Sequence, residues 1–409
     1  MRFKKAVILI GIFCFVSILA WKTGINLFYF LSAFALFLIT ANLLFFLAQL
    51  YIGRIEIHRN IGDAAIEDDI LDVKLDVKNR GPISKYYLLL QDIFSPGFGE
   101  DKKRRLLLQK IKGKQEIAIT YEGRCFKRGL YRIGPVTVFF SDPMGFFYKT
   151  KKYNLYSQLI VYPKIFRIHR FPSLVKGNIS LIGIGTRRAS GDEFEFFGIR
   201  EYKPGDPIKR IHWRSTARLR TLAVKEYERY AAYSVTIVLD LMRSSNIGRG
   251  KETTLEYAIK IAASCAKYLI DRGVLVQLIA HGVGPVVFPF NKGEFHLQEI
   301  LKFLAIAEAE GNVSLSEVLS VNSDFIPIYS TVILIMNDTD SDVLVNIAEL
   351  KARDISVIPI ILLTSSFLYL EEPEMVKSQK MKLLANLEVD SFFISRGDNL
   401  EDKFAESIK

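Results

Sequence analysis

Ser234-Val235-Thr236-Ile237-Val238-Leu239-Asp240 is a run of β-branched and aliphatic residues ending in a carboxylate. A short continuous apolar run of this kind reads as a strand buried on both faces. Similar runs recur at residues 274–280, 332–336, 357–363 and 391–395, and between them lie helical stretches near 253–271, 297–309, 342–353 and 374–387. Strands alternating with helices predict an α/β three-layer, Rossmann-type domain over residues 231–409, its mostly parallel sheet covered on both faces. Ligands of such sheets sit outside the carboxyl ends of the strands, which is where Asp240 falls.

Upstream, residues 176–230 hold a dense motif: Gly191-Asp192-Glu193-Phe194, Ile199-Arg200-Glu201-Tyr202-Lys203-Pro204-Gly205-Asp206, Lys209-Arg210-Ile211-His212-Trp213, Ala217-Arg218 and Leu222-Ala223-Val224-Lys225-Glu226. Arginine forks pair bidentately with carboxylates, so Arg200, Arg210 and Arg218 are expected to face Glu193, Asp206 and Glu226 and stitch packed elements together. Pro204-Gly205-Asp206 reads as a turn. Two other uses of the same residue types stay open: an anion pocket, and a nucleic-acid surface with Trp213 stacked between basic residues. The nucleic-acid reading predicts steeply salt-dependent affinity, and no nucleic-acid partner is expected.

This motif resembles the signature of the domain-of-unknown-function 58 family, membrane proteins in which it leads into a von Willebrand factor A-like domain. The resemblance rests on Arg200, Tyr202, Gly205, Asp206, Arg210, Trp213, Ala217, Arg218 and Glu226. Von Willebrand A domains hold Mg²⁺ with Asp-x-Ser-x-Ser, a Thr and a second Asp, hard oxygen ligands suited to that ion. Here the first set reads Asp240, Met242, Ser244, with a thioether in place of one serine. The loop Gly311-Asn312-Val313-Ser314-Leu315 puts Val313 at the Thr position, or Ser314 if the register shifts by one, and Asp338 stands for the last acid. The expected site is therefore degenerate (Asp240, Ser244, Asp338), with no cofactor expected and Mg²⁺ the one candidate. The resemblance also implies partners, a MoxR-type AAA+ ATPase and a transglutaminase-like membrane protein.

Residues 54–175 read as an antiparallel β-sandwich. Leu71, Val73, Leu75 and Val77 alternate with Asp72, Lys74, Asp76 and Lys78, a strand with one wet face. Further runs at 86–90, 105–109, 117–121 and 136–140 are separated by turns such as Ser95-Pro96-Gly97 and Ser141-Asp142-Pro143. The run Lys102-Lys103-Arg104-Arg105 suits either a solvated hairpin tip or a lipid-facing patch.

Residues 1–53 supply the apolar excess in a chain that is 50% hydrophobic and 24% charged. Residues 6–21 and 23–53 carry no charge, and a spanning helix needs about twenty apolar residues. Ile18 and Ala20 offer no small-x-small cleavage pattern, so an uncleaved two-helix transmembrane hairpin is expected in place of a signal peptide. Arg2, Lys4 and Lys5 then hold the N-terminus inside, and the main body lies in the cytoplasm of a two-pass inner (plasma) membrane protein. The net charge of +11 suits an anionic membrane surface, and Cys14, Cys125 and Cys265 are too scattered to form a disulfide framework or metal site.

Enzyme signatures are missing from the sequence. Gly248-Arg249-Gly250-Lys251-Glu252 lacks P-loop spacing, and the histidines (His58, His169, His212, His281, His296) stand singly. The expected function is a membrane-anchored, non-enzymatic protein-interaction module, an adaptor or assembly factor. The rivals are a metal-dependent hydrolase at the inner membrane face, and an anion- or nucleic-acid-binding membrane protein.

Overall fold

The computed structural model describes residues 4–169, 194–202, 211–229, 234–340, 342–368 and 389–405. The chain falls into two compact units, Met1–Lys164 with Lys302–Ile306, and Ile165–Leu301 with Ala307–Lys409.

The first unit opens with α1 (Lys4–Thr23) and α2 (Asn26–Tyr51), joined side by side through the Ser17 and Ser32 hydroxyls at 2.8 Å. Among the described residues only α2 is long and apolar enough to cross a membrane, the apolar part of α1 (Val7–Thr23) being shorter. The expected pair of spanning helices is thus reduced to one candidate and a shorter companion.

The last turn of α2 leaves carbonyls without helical partners. Lys85 supplies donors to two of them, the carbonyls of Gln49 and of Ile52, the latter at 3.1 Å. Burial, and secondarily Lys151, push the Lys85 ammonium below its usual pKa. The Gln49 side chain accepts from the Tyr86 amide at 3.0 Å. Gly53, at φ +84°, lies so close to Gly81 that a Cβ there would sit 2.2 Å from the Gly81 Cα; glycine is required on both grounds.

Ten strands follow: β1 (Ile55–Asn60), β2 (Ala64–Ile66), β3 (Ile70–Asn79), β4 (Lys85–Ile93), β5 (Lys103–Ile111), β6 (Glu116–Arg124), β7 (Gly129–Ile133), β8 (Val136–Ser141), β9 (Tyr148–Tyr153) and β10 (Ser157–Tyr162). They form three sheets, β1-β3-β6, β2-β10-β7 and β5-β4-β8-β9. Pairing is antiparallel except between β2 and β10. In β3 the alternation puts Val73, Leu75 and Val77 fully inside, in a core shared with Leu88, Leu90, Val138 and Leu159. The short strands β1, β2, β7, β9 and β10 are not among the runs expected from the sequence.

In the second unit β11 (Phe194–Glu201) and β12 (Ala223–Arg229) form an antiparallel ribbon enclosing α3 (Trp213–Leu219). Then come β13 (Ser234–Leu239), the two-residue strands β14 (Gly248–Arg249) and β15 (Glu252–Thr253), α4 (Thr254–Ile270), β16 (Leu275–His281), β17 (Pro285–Asn291), α5 (Glu294–Ile306, of which Lys302–Ile306 counts with the first unit) and α6 (Leu315–Asn322). The chain closes with β18 (Thr331–Asn337), α7 (Val343–Ala352), β19 (Ser356–Leu362), α8 (Thr364–Phe367), β20 (Phe392–Ile394) and α9 (Leu400–Lys403). The helix expected at 374–387 lies outside the described residues.

The large sheet runs β17-β16-β13-β18-β19-β20, with β17 alone antiparallel. Every β13 residue from Val235 to Leu239 is buried, as a central strand covered on both faces must be. Val238, Leu334 and Ile361 pack with Leu319 of α6 and Ile347 of α7, whereas α4, almost wholly buried, covers the opposite face. Inside the sheet Thr236 donates to Gln277 at 2.9 Å, so this buried polar pair is satisfied.

Candidate functional site

Counted by order in the chain, the large sheet reads 3-2-1-4-5-6. The strand order reverses between β13 and β18, and in a doubly wound sheet a ligand binds in the crevice that opens there beyond the carboxyl ends. Asp240 follows β13 directly, and Asp338 follows β18.

Asp240 is tied to its own loop. Its Oδ1 accepts from the Met242 amide at 2.8 Å, and its carboxylate is hydrogen-bonded to the Ser245 side chain. Burial pushes its pKa up, only partly offset by these bonds, with a further upward push from Asp340. Ser244, the serine expected to ligate a metal, is exposed on the single 3-10 turn Arg243–Ser245; the hydroxyl on Asp240 is its neighbour's. That turn is pinned from two sides, because the Ser245 carbonyl accepts both the Asn337 amide and the Thr254 hydroxyl, the second at 2.6 Å.

Asp338 is engaged elsewhere. Its Oδ1 accepts the Thr364 hydroxyl at 2.6 Å and the Thr364 amide at 3.0 Å, which joins the end of β18 to the end of β19. Ser314 caps α6, its Oγ accepting from the Glu317 amide at 3.3 Å. Val313 is partly buried against the α6–α7 core. Met242, which replaces the first serine, bridges to Gly311 in parallel fashion. Gly311 also donates to the Leu241 carbonyl at 2.9 Å and accepts from the Arg243 amide at 2.7 Å.

The resulting cavity is about 10 Å³, measured to the centre of a water-sized sphere, and Asp240, Met242, Ser245, Thr254, Asn337 and Leu362 line it. That is room for about one water. Among the described residues no group of three His, Cys, Asp or Glu side chains could hold a metal ion.

Asp240 makes a pH-dependent contribution. Its folded pKa lies above the unfolded value, so its stabilising share is full below the unfolded carboxylate range and is lost as pH rises through the folded pKa. Above its folded pKa, where it is ionised, the buried group is a cost. Asp240→Asn is therefore expected to raise the unfolding midpoint of this unit at pH above the folded pKa of Asp240, and the advantage should shrink as pH falls toward the ordinary carboxylate range, measured by thermal melts across pH.

Within the motif, Tyr202 is half-buried and its amide donates to the Leu222 carbonyl at 2.8 Å. The His212 amide donates to the Ala223 carbonyl at 2.8 Å, and its Nδ1 meets the Ser215 hydroxyl at 2.7 Å. Trp213 is 65% exposed at the start of α3, and Ala217 and Arg218 are exposed on the same helix. Arg200 lies on β11 and Glu226 on β12, where Glu226 pairs in register with Gly198. Glu193, Gly205, Asp206 and Arg210, and the ion pairs expected of them, lie outside the described residues.

The residues that sequence reasoning passed over are Ser245, Thr254, Asn337 and Thr364, along with the part that Gly311 plays in the loop already noted. A signal existed for one region: Thr253-Thr254-Leu255-Glu256 before an apolar periodic run is a helix-start pattern. Thr253 does cap α4, accepting from the Glu256 amide at 3.2 Å, and so places Thr254 beside the turn.

Residues 198–355 match the family model described as "Protein of unknown function DUF58", the family expected from the motif. The "Uncharacterized protein YeaD" of Bacillus subtilis (strain 168) is 23% identical over 249 residues, a match covering 59% of this chain and 59% of that protein. The match thus spans about three fifths of the relative's length. Among solved structures, the CARDB domain of the PF1109 protein from Pyrococcus furiosus, in complex with di-metal ions, is 16% identical at a TM-score of 0.21, covering 27% of this chain and 90% of that one. Proximal thread matrix protein 1 from the mussel byssus is 13% identical at a TM-score of 0.30, covering 42% and 46%. Likenesses at such scores carry no argument.

Proposed function

We propose that this chain is a membrane-anchored, non-enzymatic interaction module whose C-terminal α/β unit, von Willebrand factor A-like in strand order, offers its strand-end loops to a protein partner. The observation that carries the reading is the condition of the switch-point crevice. Its carboxylates are held by the chain's own hydroxyls and amides, and its cavity has the size of one water. A small-molecule chamber is a cavity of roughly several hundred Å³ that buries most of its ligand's surface. Around this filled crevice Arg243, Ser244 and Asn246 stand exposed, and a surface with exposed side chains on a pinned backbone suits protein docking.

In this reading α1 and α2 form a two-pass hairpin in the cell membrane and the body lies on the cytoplasmic side. The partner is an AAA+ ATPase of the MoxR type, with a transglutaminase-like membrane protein as a second component, and the chain acts as adaptor or assembly factor. A hydrolase would need a general base within hydrogen-bond reach of a substrate beside Asp240; among the described residues the groups hydrogen-bonded to the Asp240 carboxylate are the Ser245 side chain and the Met242 amide.

The test is capture of the tagged full-length protein from native membranes in detergent, with and without Mg²⁺ and ATP, alongside Asp240→Ala and Arg243→Glu. An AAA+ ATPase recovered with the wild type and lost with Arg243→Glu is the expected result. The same protein set from wild type and both variants would remove the strand-end loops as the docking face.

A further inference from the structure

We propose that the β-rich unit is seated in the bilayer surface, with residues 143–147 immersed beside α2 and the lysines at its flank on anionic headgroups. This rests on the reading that α2 lies in the membrane, and goes beyond it by assigning a second membrane-contacting element.

The segment is Pro143-Met144-Gly145-Phe146-Phe147, apolar and uncharged, between β8 and β9. Pro143, Met144 and Gly145 are exposed, an unusual use of apolar side chains at a loop tip in water. Phe147 packs against the core at the base of the loop, and the exposed tip is shaped by Asp142, which is 2% exposed. Its carboxylate accepts the Met144 amide at 3.1 Å and the Phe147 amide at 2.6 Å, and its carbonyl accepts the Gly145 amide at 3.0 Å. A built turn therefore presents the apolar tip.

Position supplies the second argument. The Asn42 amide of α2 meets the Met144 sulfur at 3.3 Å, and the Phe46 and Phe147 rings lie 5.9 Å apart. Asn42 precedes Gln49, the Lys85 anchor, by seven residues, so Met144 reaches roughly 10 Å further along the helix than that anchor. Measured from Asn26, Asn42 lies roughly 24 Å along α2, inside a hydrocarbon layer of about 30 Å. A helix in the bilayer thus carries Met144 to the inner rim of the hydrocarbon.

Charge gives the third. Where α2 leaves the apolar layer, Lys110 lies over the Tyr86 ring at 5.2 Å, and that ring is 6.0 Å from Phe45. Lys149 and Lys151, exposed on β9, share a face by the two-residue period of a strand. Lys151 is felt electrostatically at Lys85. Lysines around an apolar tip, one turn from the membrane exit, match an anionic lipid surface.

The test uses the full-length chain with Cys14→Ser, since Cys125 and Cys265 are buried. A nitroxide is attached through Met144→Cys, or through Phe37→Cys on α2, in vesicles of phosphatidylcholine with phosphatidylglycerol. Relaxation by oxygen is compared with relaxation by a water-soluble nickel chelate. Both labels should favour oxygen, and Lys110→Glu with Lys149→Glu and Lys151→Glu should lower the oxygen-to-nickel ratio at residue 144 several-fold. A nickel-favoured label at 144 with an oxygen-favoured one at 37 overturns the proposal and leaves α2 in the membrane. Nickel-favoured labels at both sites overturn the membrane reading itself. An unchanged ratio after the lysine substitutions overturns the anionic-headgroup assignment.

Discussion

Asp92→Ala is expected to destabilise the β-rich unit by about 3–5 kcal/mol, the cost of stranding a buried guanidinium. Arg59 and Asp92 have fully buried side chains. The Arg59 Nε donates to Asp92 Oδ2 at 3.1 Å, and Tyr121 donates its hydroxyl to the same oxygen at 2.8 Å. Arg59 Nη2 donates to Asp92 Oδ1, completing a bidentate pair, and Nη1 donates to the carbonyls of Ile133 at 3.1 Å and Leu155 at 3.2 Å. One ion pair thus joins β1 and β4 and, through these bonds, β6 and the edges of β7 and β10. Burial, then the Asp92 carboxylate, holds the Tyr121 phenol far above its ordinary pKa, so it remains a donor at all accessible pH.

Cysteine reactivity reads this unit separately from the other. Cys125 sits in the β-rich core and Cys265 in α4, and burial pushes the Cys125 thiol up to about 11, so both react only on unfolding. In urea, Asp92→Ala should expose Cys125 at much lower denaturant and leave Cys265 where it was. The double change Arg59→Met with Asp92→Leu should recover much of the loss, because a buried pair replaced by apolar groups is often neutral. Unchanged Cys125 labelling in Asp92→Ala would sink the idea that this pair holds the sheets together.

Gly311→Val should cost the α/β unit about 1–3 kcal/mol by overpacking and abolish partner capture. A Cβ at Gly311 would lie 2.5 Å from the His281 carbonyl and 2.9 Å from that of Leu241. Both are backbone atoms, so no side chain can rotate away. The shift has to be taken by the ends of β13 and β16, the loops proposed to dock the partner. Cys265 labelling should move to lower urea while Cys125 stays. A wild-type Cys265 midpoint with capture intact would mean that these loops yield without consequence.

How much was legible depends on whether a residue's role is local. The run 234–240 betrayed β13 because a strand covered on both faces must be apolar throughout, and β3 betrayed itself by alternation. The α4 start was written in Thr253 and Glu256. By contrast motif spacing points to Ser244, yet which hydroxyl meets Asp240 depends on a 3-10 turn set by Asn337 and Thr254, 92 and 9 residues from Ser245. Asp338 was readable as a strand-end carboxylate; its commitment to Thr364, 26 residues on, was not.

The sequence by itself determined the apolar helix α2, the alternation of strands and helices after residue 234, and the position of Asp240 at a strand end, because each follows from periodicity along the chain. Tertiary structure alone decided the 3-2-1-4-5-6 strand order, the closing of the crevice around Asp240, the Arg59–Asp92 pair and the placing of Met144 beside Asn42. Those are contacts between residues distant in sequence, and their free energy exists only when burial removes water from both partners at once.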